Sequence, residues 1–225
     1  MESMKIFVYG AGGHGKVVAD ILISGKVKNF VGFVDDQEQK SGTEVIGYPV
    51  LGDGYWLQKQ AVKYPVAIAL GIGNNLCRFR VAERCTAWNV QVLTAVHFTA
   101  VVASSGELGR GTVVMAGAVI NCDAKLGQGV IVNTGAVVEH DVVVGDYAHI
   151  SPNASLGGAS RLGSLSHVGL GAAILPGISV GRESIIGAGS VVLHDVADRT
   201  VAVGVPARIL RTMEFAASGN VSRGN

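Results

Sequence analysis

Two hydrophobic rhythms divide the chain. From Val102 to Val192 every sixth residue is Val, Ile or Leu, through Leu108, Val114, Ile120, Leu126, Val132 and onward without a miss. If about a third of positions were aliphatic by chance, a run of that length would arise with a probability on the order of 10⁻⁸, so the period is a structural repeat. The residue after the aliphatic is often Gly, as at Gly109, Gly127, Gly145 and Gly163, and two residues before the next aliphatic the chain is mostly small, as at Ala118, Ala136, Ser160 and Ser184. A hexad of this kind makes one short strand and a corner. Three hexads close a triangular coil with the aliphatic side chains on its axis, and coils stack about 4.8 Å apart. Gly suits the corners, where φ is positive or two backbones meet closely. The pattern predicts a parallel β-helix over residues 96–212, with the regular period giving about five coils of about 18 residues.

The first 95 residues alternate strand-like and helix-like runs instead. Lys5 to Tyr9 reads as a strand, Lys16 to Ile23 as a helix, Asn29 to Val34 as a strand, Tyr55 to Val62 as a helix and Val66 to Leu70 as a strand. A helix running to about Trp88 and a short strand at Gln91 to Leu93 follow. Such alternation predicts a small parallel α/β, Rossmann-like half-domain over residues 1–95. The join near Ala95 has no Pro/Gly linker, so the two domains are expected to pack against each other. Residues 213–225, rich in Ser, Gly and Asn, are expected to form a disordered tail.

Composition narrows the function classes. Of 225 residues, 48% are hydrophobic and 16% charged, and 32 are Gly, which excludes disorder of the usual highly charged kind. The net charge of +1 offers no basic footprint for nucleic acid or a membrane surface. No apolar run approaches the roughly 20 residues of a membrane span, and the start lacks a signal-peptide cleavage region, so a cytoplasmic location is expected. Cys77, Cys85 and Cys122 are odd in number and lack ligand spacing, which predicts reduced thiols and no structural zinc.

Two motifs carry chemistry. Gly10, Gly12 and Gly15 match a G-x-G-x-x-G turn between the first strand and helix, with Asp35 and Asp36 ending the next strand. That spacing fits a pyrophosphate at a helix N-terminus and an acid on a ribose, as in an NAD site. About 95 residues make only half of a doubly wound dinucleotide fold, and a half-fold suits one nucleotide diphosphate, such as a nucleotide sugar. The second motif is Glu139-His140-Asp141, a charged corner two positions after an aliphatic step. A carboxylate beside His140 can fix its tautomer and raise its basicity, as a general base requires. His149 and His167 lie 18 residues apart and should stack on successive coils. A zinc site of the kind some β-helices carry would need a further ligand spacing that is missing, so no metal is expected.

The glycine loop, the hexad repeat, Gly73-Asn74-Asn75, Asn133-Thr134-Gly135-Ala136-Val137-Val138-Glu139-His140-Asp141 and Gly204-Val205-Pro206-Ala207-Arg208 together resemble the bacterial sugar acetyltransferases of PglD and NeuD type. The resemblance covers about residues 4–212. It implies a left-handed parallel β-helix and transfer of acetyl from acetyl-CoA to a nucleotide-linked amino sugar, a UDP-4-amino-4,6-dideoxyhexose, in surface polysaccharide or glycan biosynthesis. O-acetylation of sialic acid or another sugar hydroxyl is the alternative, with an NAD-dependent oxidoreductase and a non-catalytic scaffold behind it. By the same resemblance His140 is the general base and Asp141, at a position where the family often has Glu, its partner. His149, Gly158, Leu170 and Ala188 match acetyl-CoA positions, Ala188 replacing a Gly of close relatives. Gly12, Gly13, His14, Asp35, Asp36 and Gly73 match the nucleotide-sugar pocket. The family pattern is a homotrimer with acetyl-CoA bound between neighbouring β-helices.

Overall fold

The computed structural model describes residues 3–213. In chain order the first domain comprises β1 (Lys5–Tyr9), α1 (Gly13–Ser24), β2 (Phe30–Val34), β3 (Glu44–Val45), β4 (Tyr48–Pro49), α2 (Gly54–Lys63), β5 (Val66–Leu70), α3 (Asn75–Ala87) and β6 (Gln91–Val92). Strands β2, β1, β5 and β6 lie in that order in a four-stranded parallel sheet. Every residue of β5 is buried, which explains why it reads as a continuous apolar run without alternation. Asp53 caps α2 by accepting from the Trp56 N–H at 2.8 Å, and Asn74 caps α3 by accepting from the Cys77 N–H at 2.9 Å.

Helix α1 has no side-chain cap and starts at Gly13, three residues earlier than the hydrophobic pattern predicts. The glycines therefore form its first turn, whose N–H groups lack intrahelical partners. Gly15 admits no side chain, because a Cβ there would overlap the Gly10 carbonyl oxygen. The β3–β4 hairpin escaped the sequence reading because two-residue strands carry no period.

The second domain is a left-handed parallel β-helix with three faces. Its first face stacks Ala95–Val96, Val113–Val114, Ile131–Val132, His149–Ile150, His167–Val168 and Ile185–Ile186, then the antiparallel pair Thr200–Val203 and Arg208–Thr212. The second face runs from Val101–Val102 to Val191–Val192, and the third from Glu107–Leu108 to Ser179–Val180. The hexad aliphatics from Val114 to Val192 are all buried in one axial core with Ala118, Ala136, Ala148 and Ala172, while Val102 and Leu108, in the open first coil, are partly exposed. Met213, the first residue of the expected tail, donates its N–H to the Arg199 carbonyl at 2.7 Å. The rest of that tail, 214–225, lies outside the described residues.

The corners divide two tasks that the sequence reading gave jointly to Gly. The glycines that follow the aliphatics serve close approach: a Cβ on Gly145 would lie 2.6 Å from the Ser164 hydroxyl of the next coil. Positive φ falls two residues later, at every sixth position from Gly111 to Gly189. Half of those positions are not Gly, and they include Asp141 at φ 60°. Asp and Asn tolerate this region through local hydrogen bonding, whereas Ala159 and Leu165 are held there by the stacked coils.

Both domains share cores. Ala95, Val113, Met115 and Ile131 of the first face pack with Val8, Val18 and Ala19, and Tyr147 joins the cluster of Tyr9, Val81 and Cys85. The Rossmann-like domain thus sits on the first face, which decides which side chains of that face it covers.

Candidate active site

A cleft of about 360 Å³ opens at the C-terminal ends of β1, β2 and β5, lined by Gly10, Gly12, Asp35, Asp36, Lys40 and Asn74 among others. Such a crevice beside a glycine loop is where a parallel α/β sheet binds nucleotides. Asp35 accepts from the Ala11 N–H at 2.7 Å, the Gln37 N–H at 2.9 Å and the Lys40 ammonium at 2.9 Å. Asp36 accepts from the Tyr9 hydroxyl at 2.7 Å, the Gly54 N–H at 3.0 Å and Arg84 at 2.6 Å. Burial opposes ionisation of Asp36, but the bonds from Arg84, Tyr9 and Gly54 outweigh it and hold the carboxyl below its ordinary range. Both oxygens of each carboxylate are thus engaged by the protein; Asp35 is buried beside the glycine loop, while Asp36 is the more exposed of the two at the cleft.

Past Asn74 this cleft meets a larger one of about 610 Å³, lined by Gly73, Asn75, His149, His167, Glu183 and Met213 among others. The His149 and His167 rings stack in parallel at 4.6 Å, as their 18-residue separation requires, and the His14 ring from α1 lies 6.4 Å from His149. Burial and then the neighbouring Arg78 charge push His14 down to about 4. Burial, His167 and Arg78 push His149 down to about 3, and burial with Arg78 also lowers His167. At neutral pH all three rings are uncharged. Asn133 donates to His149 Nε2 at 3.1 Å, which leaves the proton on Nδ1, a buried atom that makes no hydrogen bond of full geometry although the Gly73 backbone acts on the ring. The buried Nε2 of His14 has none either. A buried donor without an acceptor is costly, and a carbonyl oxygen of a bound acyl group would satisfy His149 Nδ1.

His140 lies in a different setting. It stands at the corner between the second and third faces, 57% exposed, and its Nδ1 bonds Asp141 Oδ2 at 2.8 Å. Because a carboxylate only accepts, Nδ1 carries the proton and Nε2 is free to accept another. The Asp141 hydrogen bond raises the His140 pKa above its ordinary value against a small burial cost, with the charges of Asp141 and Glu139 adding to the rise. Asp141 is shorter than Glu, and it reaches the ring from its left-handed backbone conformation at the corner. Glu139 is occupied elsewhere, accepting from Asn121 at 2.9 Å. On the next coil a Cβ on Gly158 would lie 2.6 Å from His140 Nε2, so only Gly leaves the ring its place.

The candidate residues therefore fall into separate groups within one chain. Gly12, Asp35 and Asp36 share the smaller cleft; Gly73 and His149 share the larger, with His14 beside His149. Gly13 stands at the open start of α1. His140, Asp141 and Gly158 form the second–third corner. Leu170 and Ala188 both follow first-face strands, so they stack at the first–second corner, where Leu170 is exposed. One chain does not unite the residues matched to acetyl-CoA. Asn133, Asn75 and Arg78, which contact or border these groups, were not among the sequence candidates. Asn75 and Asn133 sit inside stretches that stood out by motif, whereas Arg78 looks like any solvated helix residue until its burial is seen.

The N-terminal domain of PglD matches residues 5–85, and the bacterial transferase hexapeptide repeat matches residues 123–158. The GDP-perosamine N-acetyltransferase of Caulobacter crescentus, solved as a single-substitution variant with CoA and GDP-perosamine, is 35% identical with a TM-score of 0.86, covering 91% of this chain and 96% of that one. The acetyltransferase domain of PglB from Neisseria gonorrhoeae FA1090, in complex with acetyl coenzyme A, is 36% identical with a TM-score of 0.85, covering 92% and 98%. The UDP-N-acetylbacillosamine N-acetyltransferase of Bacillus subtilis (strain 168) is 37% identical over 114 residues, 50% of this chain and 51% of that relative, so the match spans about half of its length. Glycine-loop domain, hexapeptide β-helix and near full-length similarity agree, and the chain belongs to the PglD-type bacterial sugar acetyltransferases.

Proposed function

We propose that the protein transfers acetyl from acetyl-CoA to the amino group of a nucleotide-linked amino sugar, with His140 as general base. The observation that carries this reading is the His140–Asp141 pair, an exposed imidazole with a fixed tautomer and a free Nε2. The relatives solved with CoA and GDP-perosamine, or with acetyl-CoA, support the substrate classes. A sugar ammonium must lose a proton before it attacks the thioester carbonyl. That first proton leaves to solvent, His140 Nε2 takes a second from the nitrogen as the C–N bond forms, and Asp141 stabilises the imidazolium. Attack forms the C–N bond and a tetrahedral oxyanion, for which His149 Nδ1–H or the Gly158 N–H is a suitable donor. Collapse breaks the C–S bond, and the proton held on His140 passes to the departing CoA thiolate. Gly12, Gly13, His14, Asp35, Asp36 and Gly73 would hold the nucleotide sugar, while Leu170 and Ala188 would border the pantetheine arm.

The topology supports a shared site. The second–third corner that carries His140 is opposite the first face, on which the nucleotide domain and His149 sit. One subunit cannot present its own His140 to a sugar held at its own His149. A threefold trimer, a closed and physically ordinary assembly, would bring His140 of one chain to the nucleotide cleft of its neighbour and acetyl-CoA between them.

Thiol release from acetyl-CoA should be measured against UDP-, GDP- and dTDP-linked amino sugars, including UDP-4-amino-4,6-dideoxyhexoses, and their hydroxyl analogues. Turnover with amino sugars and none with hydroxyl analogues is expected; the reverse would establish O-acetylation. Light scattering of active enzyme should give a trimer mass. Mixed assemblies of His140→Ala with Gly12→Trp chains should recover activity that neither variant has alone, and absence of recovery would defeat the shared site.

A further inference from the structure

Arg78 is completely buried, and among the described residues no carboxylate pairs with it. Its Nε donates to the Gly129 carbonyl at 2.7 Å, Nη1 to those of Ile72 at 3.1 Å and Gly73 at 3.0 Å, and Nη2 to Tyr147 at 2.8 Å and Asn75 Oδ1 at 2.9 Å. Asn75 Nδ2 in turn donates to the carbonyls of Leu165 and Ser166 at 2.9 and 3.0 Å. The acceptors span three successive coils of the β-helix and the loop that separates the two clefts. A buried cation satisfied only by neutral acceptors is expensive to desolvate, and it is held here by the set of carbonyls that would lose their donors without it. Packing alone does not explain a guanidinium here.

We propose that Arg78 is a positioning residue for acetyl transfer: with Asn75, it locks the Ile72–Asn75 loop of the nucleotide domain onto the coils that carry Tyr147 and His149, fixing the sugar relative to the acyl group. The proposal rests on the acetyltransferase reading. The planar fork suits several carbonyls at fixed angles, which a Lys cannot match. The charge has a second consequence. His149 is faced by His14 from α1, His167 from the next coil, Asn133 from the preceding one and Arg78 from α3, with Glu183 lining the same cleft. Among these Arg78 is the fixed positive charge, and it lowers all three histidines. Neutral rings beside the sugar do not repel its ammonium.

The test compares Arg78→Lys and Asn75→Ala with wild type, the second removing the loop's outer bonds while leaving the buried charge. Both should stay folded and bind nucleotide sugar and acetyl-CoA within about threefold of wild type, while kcat falls by about 10- to 100-fold, the order expected for misplacement by about 1 Å. Hydrogen exchange at 72–76 and 147–149 should rise in both. Histidine NMR should show His149 titrating at higher pH in Arg78→Met, should that variant fold. Variants with kcat within twofold of wild type, or with unchanged exchange at both segments, overturn the proposal. Wild-type protein that acetylates no amino sugar in the panel defeats the acetyltransferase reading instead, while exchange still decides whether Arg78 locks the junction.

Discussion

The corner at His140 and the cleft at His149 place the same side chain in opposite surroundings. His140 is exposed, bonded to a carboxylate and shifted toward the charged form; His149 is buried, stacked on another imidazole, close to a guanidinium and shifted far toward the neutral form. One is suited to take up a proton, the other to donate a hydrogen bond without ever becoming a cation. Environments that push like groups apart are how a site separates its base from its electrostatic donor. The two lie on opposite sides of one prism, so in the proposed trimer the contrast within a chain would become a pairing between chains.

Substituting the proposed base is the most severe way to break this comparison. His140→Ala should reduce kcat by about 10² to 10⁴ with little change in melting temperature, since the ring is exposed. Near-normal turnover in a folded variant would sink the assignment. Asp141→Asn should reduce kcat by roughly tenfold or more and move the acid limb of the kcat/KM profile. A general base at His140 would work when neutral, so activity should fall as pH drops through a midpoint above 6.5 in wild type, and that midpoint should move down once the carboxylate is gone. A limb that stays in place would show that Asp141 does not tune the base.

Gly158→Ala sharpens the geometry, because its methyl would crowd His140 Nε2. A fall in kcat of about tenfold is expected from a displaced ring, with the melting temperature nearly unchanged because that ring can swing into solvent. Unchanged kcat would show that the ring's position is not critical.

The smallest effect concerns the buried group. His14 at about 4 and His149 at about 3 lie below the unfolded value of about 6.5, so the unfolded chain takes up protons first as pH falls. Stability is then fully present above about pH 6.5 and is lost on acidification toward the folded values, by up to about 1.4 kcal/mol per histidine per pH unit. Urea midpoints at pH 7 and pH 5 should differ in this direction, and His149→Gln should flatten the difference. Equal midpoints for wild type would contradict neutral burial.

How much was legible beforehand differs between the two domains for a physical reason. The β-helix was readable because every coil repeats one environment, and each inward position from Val114 to Val192 states the same demand for an aliphatic side chain. Residues at the corners were less readable. Positive φ is imposed there by the stacked coils, so Leu165 and Ala159 can occupy positions that sequence preference would give to Gly. In the α/β domain the strands and helices followed their local patterns, but the β3–β4 hairpin was too short to show one.

The sequence by itself determined the axis of the prism, the glycine loop and the His140–Asp141 pair, because each depends on neighbours a few residues away. Only the tertiary structure decided what faces the nucleotide domain. It buried Arg78, stacked His149 on His167 beside His14, tied Asp36 to Tyr9 and Arg84, and set His140 on the opposite corner. Those relations join residues tens of positions apart, and burial and long-range charge, which fix their protonation, exist only once the two domains have packed.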